Sequence, residues 1–203
     1  LHHPNKRLVH SIACPEGCVH SGTVSYSRWP AFPLTAVVDL SGIGGRLDLR
    51  ADLYDYEPVP GFEAGLEWHV NFADPHLFVA YSGSLFAQDE MQVAEHPVLG
   101  SLKEGLKARG SKLLTVEAGR PTPVLVAGVQ RRVRVKTDHN PAEGRRMGLY
   151  GNAFARVNEK AIRAATVPID PPTVTNLLAI AAPAGGCGNY TAEEVRHILE
   201  TAF

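Results

Sequence analysis

A strand followed by a helix that opens with two acids is the feature that most constrains the fold of this chain. Residues 67–73 form a mostly apolar run typical of a buried strand, and a helical pattern over residues 84–96 follows, with Pro97 at its end. Gln88, Asp89 and Glu90 lie where this helix opens. In α/β folds, ligands bind and chemistry occurs just beyond strand ends, where helices begin. The segment therefore predicts an α/β protein with a site at this strand end.

The rest of the chain predicts further strands and helices around that centre. Residues 1–60 are expected to form a β-rich extension of the same sheet, with strands at residues 23–27, 34–39 and 46–54. Beyond the centre we expect helices at 99–108 and 151–165, strands at 112–116, 123–129, 133–136 and 175–182, and a final helix. We expect residues 1–203 to form one domain.

Composition excludes two classes of function. The chain has 203 residues, of which 44% are hydrophobic and 20% charged, and its net charge is −1. No sustained Lys/Arg face is present, which argues against a protein that binds by neutralising many phosphates. The apolar stretches at 123–129 and 177–184 are shorter than the roughly 20 residues that span a bilayer, and residues 1–10 lack the apolar core of a signal peptide. We therefore expect a cytoplasmic protein without a membrane partner.

The cysteines leave two interpretations open. Cys14, Cys18 and Cys187 are an uneven number, which favours a reducing compartment over a disulfide framework. His10, Cys14, Cys18 and His20 could together bind zinc. A loop with free thiols is the favoured alternative, because the usual Cys-x-x-Cys spacing is missing.

A glycine-rich loop, residues 183–190, connects the last strand to the last helix. Thr191 and Glu194 have the spacing of a capping box and predict a helix start there. Glycines at 185, 186 and 188 leave room for an anion to approach the N–H groups of that helix end, which suits a diphosphate. A tight connection without a ligand is the alternative, and neither the Rossmann nor the Walker pattern is matched.

The two segments together resemble the poly(ADP-ribose) glycohydrolase type of macrodomain. Asn71-Phe72-Ala73-Asp74 resembles the family's Asp-Phe-Ala-Asn strand end, and Gln88-Asp89-Glu90 resembles its Gln-Glu-Glu, with the same gap between them. Gly186-Cys187-Gly188-Asn189-Tyr190 resembles the family's Gly-Cys-Gly-aromatic phosphate loop, in the same order along the chain.

The resemblance implies a three-layer α/β/α macrodomain with a mixed central sheet, acting as a glycosidic-bond hydrolase on ADP-ribosyl adducts. Glu90 would protonate the leaving group at the distal ribose, Gln88 would orient a ribose hydroxyl or the water, and Asp89 would influence the pKa of Glu90. The residues that would contact ADP-ribose are Asn71, Phe72, Ala73, Asp74, Val79, Ala80, Tyr81, Gly185, Gly186, Cys187, Gly188, Asn189 and Tyr190.

The same resemblance implies the partners. The ligand would be ADP-ribose, the substrate an ADP-ribosylated protein or nucleic acid, and the protein a monomer without cofactor or metal. A non-catalytic ADP-ribose reader is the main alternative, and a hydrolase of a free ADP-ribose derivative is another.

Two departures from the family pattern bear on the substrate. The glycine triplet corresponds to Phe78-Val79-Ala80, whose side chains prevent a close approach of diphosphate to the backbone, although residues 81–84 could replace part of that contact. Asp74 stands where the family has an amide that contacts the distal ribose. The first change favours a mono-ADP-ribosyl substrate over a poly(ADP-ribose) chain. The second leaves a carboxylate that can only accept hydrogen bonds at this position unless it is protonated.

Several other residues have an alternative structural interpretation. His69, His76 and His96 could act as acids or bases but are expected to be half-buried and hydrogen-bonded. Asn152 and Phe154 could hold an adenine, although Phe154 has the spacing of a core residue. The cluster Arg131, Arg132 and Arg134 suits either an acidic partner or a charged edge strand.

Overall fold

The computed structural model describes residues 1–30, 32, 67–183 and 190–202. Its helices are α1 (Pro4–Ala13), α2 (Gln88–Glu95), α3 (Val98–Ala108), α4 (Glu159–Ala165) and α5 (Ala192–Ala202). Its strands are β1 (Ser25–Arg28), β2 (His69–Phe72), β3 (Val116–Glu117), β4 (Arg120–Pro121), β5 (Val124–Val135) and β6 (Thr166–Ile180).

Four of the strands form one mixed sheet in the order β1-β5-β6-β2. The pairs β1/β5 and β5/β6 are antiparallel, whereas β2 runs parallel to β6 with Phe72 opposite Ile180. The short strands β3 and β4 form a separate hairpin. The predicted α/β class with a mixed sheet is confirmed.

The core lies mainly on one face of this sheet. Alternate residues of β5 and β6, such as Val126 and Leu177, are fully buried there against Val93 of α2 and Leu99 of α3. A second cluster joins α1 and α4 to the end of β5. Leu125 and Leu178 occupy the alternate positions and line a groove with the end of α5. The described helices therefore lie on both faces of the sheet.

Local signals explain where the two helices nearest the predicted site begin. Glu90 accepts a hydrogen bond from the N–H of Ala87 at 2.9 Å, which satisfies a donor at the start of α2. Thr191 and Glu194 exchange hydrogen bonds at the start of α5, so the predicted capping box is confirmed. The predictions of β2, α2, α3 and α5 agree with the structure within a few residues.

Helix α1 was not predicted, and it is an integral part of the fold. Pro4 occupies its first turn, where the missing N–H costs nothing, and His3 accepts a hydrogen bond from the N–H of Asn5. The buried Asn5 side chain donates to the carbonyl oxygens of Phe154 and Val157 at 2.8 and 3.1 Å. These contacts fix α1 to the segment that leads into α4.

The predicted boundaries of four segments are wrong, the fourth being the start of β6. Of residues 112–116 only Val116 lies in a strand, because the chain turns there into the β3–β4 hairpin. The two strands predicted at 123–129 and 133–136 are one strand, β5, which continues through register shifts. The helix predicted over 151–165 is a 3-10 helix, Gly151–Arg156, followed by α4, because the Asn158 side chain accepts from the N–H of Ala161 and starts a new helix.

The last strand, β6, begins at Thr166, nine residues earlier than the predicted 175. The strands predicted at 34–39 and 46–54 lie outside the described residues, and the strand predicted at 23–27 is β1, Ser25–Arg28. None of the described helices combines the length and the apolar character that crossing a bilayer requires.

Candidate functional site

The strands that precede the two predicted motifs are neighbours in the sheet. β2 and β6 are parallel, and the N–H of Ala73 donates to the carbonyl of Ile180 at 3.0 Å. The carboxyl ends of both strands therefore lie at the same edge of the sheet, which is where parallel α/β sheets bind ligands. The loop residues Gly185, Gly186, Cys187, Gly188 and Asn189 lie outside the described residues, although Pro183 and Tyr190 on either side of them are described.

A cavity of about 350 Å³ opens at this edge. Most of the residues predicted between β2 and α2 line it, namely Phe72, Ala73, Asp74, Val79, Ala80, Gln88, Asp89 and Glu90. Tyr150 also lines it and was not predicted, since it is 78 positions or more from the residues of β2 in sequence and carries no local signal. Tyr150 is 56% exposed.

Gln88 connects the start of α2 to β2 through side-chain hydrogen bonds. Its Oε1 accepts from the N–H of Phe72, and its Nε2 donates to the carbonyl of Val70, both at 2.8 Å. The side chain thus hydrogen-bonds to the β2 backbone as a neighbouring strand would. The structure gives Gln88 a positioning contact at the wall of the cavity.

Asn71 is completely buried behind the cavity and holds Asp89. Its Nδ2 donates to Oδ1 of Asp89 at 2.9 Å and to Oε1 of Gln92 at 2.7 Å. Its own Oδ1 is buried and has no hydrogen-bond partner among the described residues. The structure therefore places Asn71 in contact with Asp89 and not in the lining of the cavity.

The two carboxylates on the first turn of α2 are buried in different surroundings. Asp89 is 6% exposed and Glu90 4%. Burial is the main reason that the pKa of Asp89 is raised to about 6, and the neighbouring Glu90 raises it further, while the Asn71 hydrogen bond opposes the shift. Glu90 uses its Oε2 for the N–H of Ala87.

A buried lysine from α1 places a positive charge near this pair. Lys6 is 2% exposed, and its Nζ donates to the carbonyl of Tyr81 at 2.9 Å. Burial lowers the pKa of Lys6 to about 8, while the negative charges of Glu90 and Asp89 act in the opposite direction. The spacing of Lys6 from Val9 and Ala13 puts it on the buried side of α1, a signal that is available only once the helix itself is predicted.

The turn at residues 78–81 is held by two lysines. Lys103 of α3 donates to the carbonyl of Phe78 at 2.7 Å, while Lys6 binds the carbonyl of Tyr81. Phe78 has a φ of 53°, a left-handed conformation that glycine adopts more readily. Val79 and Ala80, between the two anchored carbonyls, face the cavity.

Two of the predicted aromatic contacts lie outside this cavity. Tyr81 donates its hydroxyl to Glu104 at 2.7 Å and packs against Gly100, so its side chain lines a different pocket with Lys6. Tyr190 is 40% exposed just before α5.

The histidines considered as acids or bases, and the phenylalanine considered for adenine binding, mostly have structural roles. His96 is fully buried between the Gln92 carbonyl and the Thr175 hydroxyl, each at 2.8 Å, and burial lowers its pKa to about 3. Phe154 stacks on Phe86 at 4.1 Å in the core. His69 is buried, whereas His76 is exposed near Asp74.

The arginine cluster lies in a part of β5 that has a described strand partner on one side only, because β1 pairs with residues 124–127 and β6 with residues 131–135. Arg131 is nevertheless buried in an ion pair with Glu95 at 2.9 Å. Arg132 donates to the carbonyl of Val19 and to Gln130, and Arg134 is exposed. These contacts commit Arg131 and Arg132 to the fold.

The proposed zinc ligands line one pocket without forming a metal site. His10, Cys14, Cys18 and His20 surround the same cavity, and both thiols are free. His20 Nε2 accepts from the N–H of Gln130 at 3.3 Å. Within the described part of the chain, no group of three or more His, Cys, Asp or Glu residues is arranged to hold a metal ion.

The site as a whole offers two buried carboxylates on the first turn of a helix, a nearby buried ammonium and a cavity open to solvent. In comparisons with known proteins, no family model and no curated protein matches this chain.

Proposed function

We propose that this protein is an ADP-ribosyl hydrolase with a macrodomain fold. One observation carries the proposal: the acid pair at 89–90 lines a cavity at the edge where β2 and β6, the strands before the two motifs, leave the sheet side by side. Pockets that bind small-molecule ligands have volumes from roughly 300 Å³ upward, and this cavity measures about 350 Å³.

The arrangement of the fold supports the macrodomain part of the proposal. A mixed sheet with β2 parallel to β6 and helices on both faces suits a three-layer α/β/α architecture. The left-handed φ of Phe78 keeps, at the position of the glycine triplet, a backbone conformation that glycine would favour.

In the proposed reaction the distal ribose lies between the Phe72–Asp74 segment and the first turn of α2. Glu90 donates a proton to the leaving group through its Oε1, because its Oε2 is engaged with the N–H of Ala87. The bond from the anomeric carbon to the leaving group breaks and an oxocarbenium-like centre forms. Water then adds to that carbon and gives a proton back to the Glu90 carboxylate. The negative charge of Asp89 lies near this centre, and the reaction uses no metal or cofactor.

The substrate is a mono-ADP-ribosylated macromolecule in this proposal. Val79 and Ala80 line the cavity where the resembled family has glycines, which disfavours the binding of a poly(ADP-ribose) chain. A non-catalytic ADP-ribose reader is the second candidate, and the side chains that replace the glycine triplet favour it.

Two measurements on Glu90→Gln separate these candidates. The glutamine can still accept from the N–H of Ala87, so the helix start is preserved. We expect calorimetric titration to give ADP-ribose affinities within about twofold for parent and variant, while release of ADP-ribose from modified protein falls at least about a hundredfold. Glu16→Gln, at an exposed position, is the matched control.

The outcomes are distinct. ADP-ribose binding without turnover in the parent identifies a reader. Absence of ADP-ribose binding refutes the family resemblance and the proposed function together. Turnover that survives in Glu90→Gln shows that another group, such as Asp89 or the substrate itself, supplies the proton.

A further inference from the structure

A second groove of about 540 Å³ lies beside the proposed active-site cavity. The two share Tyr150 in their lining. Backbone hydrogen bonds run in both directions between Phe86 and Gly151, at 3.2 and 2.9 Å, and hold the Tyr150 turn against the segment that leads into Gln88. The groove therefore has a fixed position relative to the acid pair.

The turn that forms this groove is built rigidly. Arg145 is 1% exposed and binds Asp138 and Glu143. Gly148 has a φ of 68°, and a Cβ there would lie 2.6 Å from the carbonyl oxygen of Thr137. The neighbouring Met147 is nevertheless 83% exposed. A well-anchored turn thus presents a large apolar side chain to solvent.

The charged residues that line the groove are all positive. Arg146 and Arg156 line it, both are exposed, and no carboxylate is among its lining residues. Neither guanidinium forms an ion pair within residues 1–30, 67–183 and 190–202. Glu143 and Glu159, nearby in sequence, are paired with Arg145 and Arg163.

Arginine, methionine and tyrosine are the residue types enriched in protein–protein interfaces, where lysine is depleted. Guanidinium groups match carboxylates in geometry as well as charge. We propose that this groove binds an acidic segment of the ADP-ribosylated protein next to its modified residue. The inference rests on the proposed function for the identity of the modified partner, while the groove itself is defined by its own contacts.

The first experiment measures the binding of a peptide to the groove in the absence of catalysis. A fluorescein-labelled, unmodified peptide rich in Asp and Glu, with one Leu and one Phe, is titrated with the protein at low salt by fluorescence anisotropy. We expect the double variant Arg146→Gln/Arg156→Gln to bind it about three- to tenfold more weakly than the parent, since each exposed charge pair contributes modestly. Arg120→Gln, an exposed arginine on the β3–β4 hairpin, is the control and should bind like the parent.

The second experiment uses mono-ADP-ribosylated peptides whose flanking residues are either Asp/Glu or Asn/Gln. We expect the double variant to raise KM for the acidic peptide by a similar factor, with kcat and the affinity for free ADP-ribose unchanged. KM for the neutral peptide should stay constant.

Three results overturn the inference. One is a double variant that binds the acidic peptide as tightly as the parent does. Another is equal binding, by the parent, of this peptide and of an unmodified peptide with Asn and Gln in place of Asp and Glu. The third is a short single-stranded oligonucleotide that competes more strongly than the acidic peptide, which would assign the groove to nucleic acid. A parent that binds the acidic peptide but lacks both ADP-ribose binding and turnover refutes the proposed function and leaves the groove intact.

Discussion

Replacing the buried carboxylate of Asp89 by an amide should stabilise the protein at neutral pH. Burial raises the pKa of Asp89 from 3.8 to about 6, so the ionised form is disfavoured in the folded state. The difference of about 2.2 units, at about 1.4 kcal/mol per unit, corresponds to a cost of about 3 kcal/mol once Asp89 is ionised. An asparagine would avoid this cost and could keep the hydrogen bond from Asn71, because its Oδ1 still accepts.

The sign of the pH dependence follows from the same shift. Between pH 3.8 and about 6 the folded state binds more protons at Asp89 than the unfolded state, so stability falls as pH rises through this window. Above about pH 6 the free-energy cost of the ionised Asp89 no longer changes with pH. Asp89→Asn should therefore match the parent near pH 3.8 and exceed it by up to about 3 kcal/mol at pH 7.

Urea denaturation followed by circular dichroism at pH 4, 5, 6 and 7 tests this. The quantity compared is the free energy of unfolding of parent, Asp89→Asn and the exposed-site control Glu16→Gln at each pH. The control should differ little from the parent at any pH. A variant that is less stable than the parent at pH 7, or whose gain is the same at every pH, would refute the reasoning.

Three further predictions concern the rest of the fold. Arg131→Leu leaves the buried Glu95 without its charge partner and should lower the free energy of unfolding by roughly 3–5 kcal/mol in urea denaturation. Ala118→Gly relieves a left-handed φ of 51° on an exposed turn and should raise the thermal midpoint, corresponding to about 0.5–1 kcal/mol. The imidazole NMR signals of His96 should not shift between pH 5 and 8, because burial lowers its pKa to about 3; a titration in that range would contradict its placement.

The sequence predicted best those elements whose ends carry local signals. Pro97 marks the end of α2, and Thr191 with Glu194 marks the start of α5. Strand β6 was predicted too short because Pro168 and Pro171 argue against a strand. They are tolerated because β2 pairs only with residues 177–180 of β6, so the earlier half has a described partner, β5, on one side only.

The part of the candidate site that was predicted also depends on local sequence signals. Residues 72–74 and 88–90 are close in sequence, and the resemblance is local, so their common cavity could be anticipated. Contacts that join distant segments have no local pattern: Lys6 reaches the carbonyl of Tyr81, and Tyr150 reaches the same cavity as Gln88. Helix α1 was missed because two polar residues, Asn5 and Lys6, are buried on its inner side beside Val9 and Ala13 and interrupt the apolar pattern.

The burial of Lys6 makes its amine a chemical reporter of the folded state. At 2% exposure the amine is shielded from acylating reagents, yet a pKa of about 8 leaves a larger neutral fraction than an ordinary lysine has at neutral pH. Acylation of Lys6 requires α1 to detach from the carbonyl of Tyr81. Its labelling rate, read by mass spectrometry beside an exposed lysine such as Lys136, would therefore measure how often the first helix opens in the native protein.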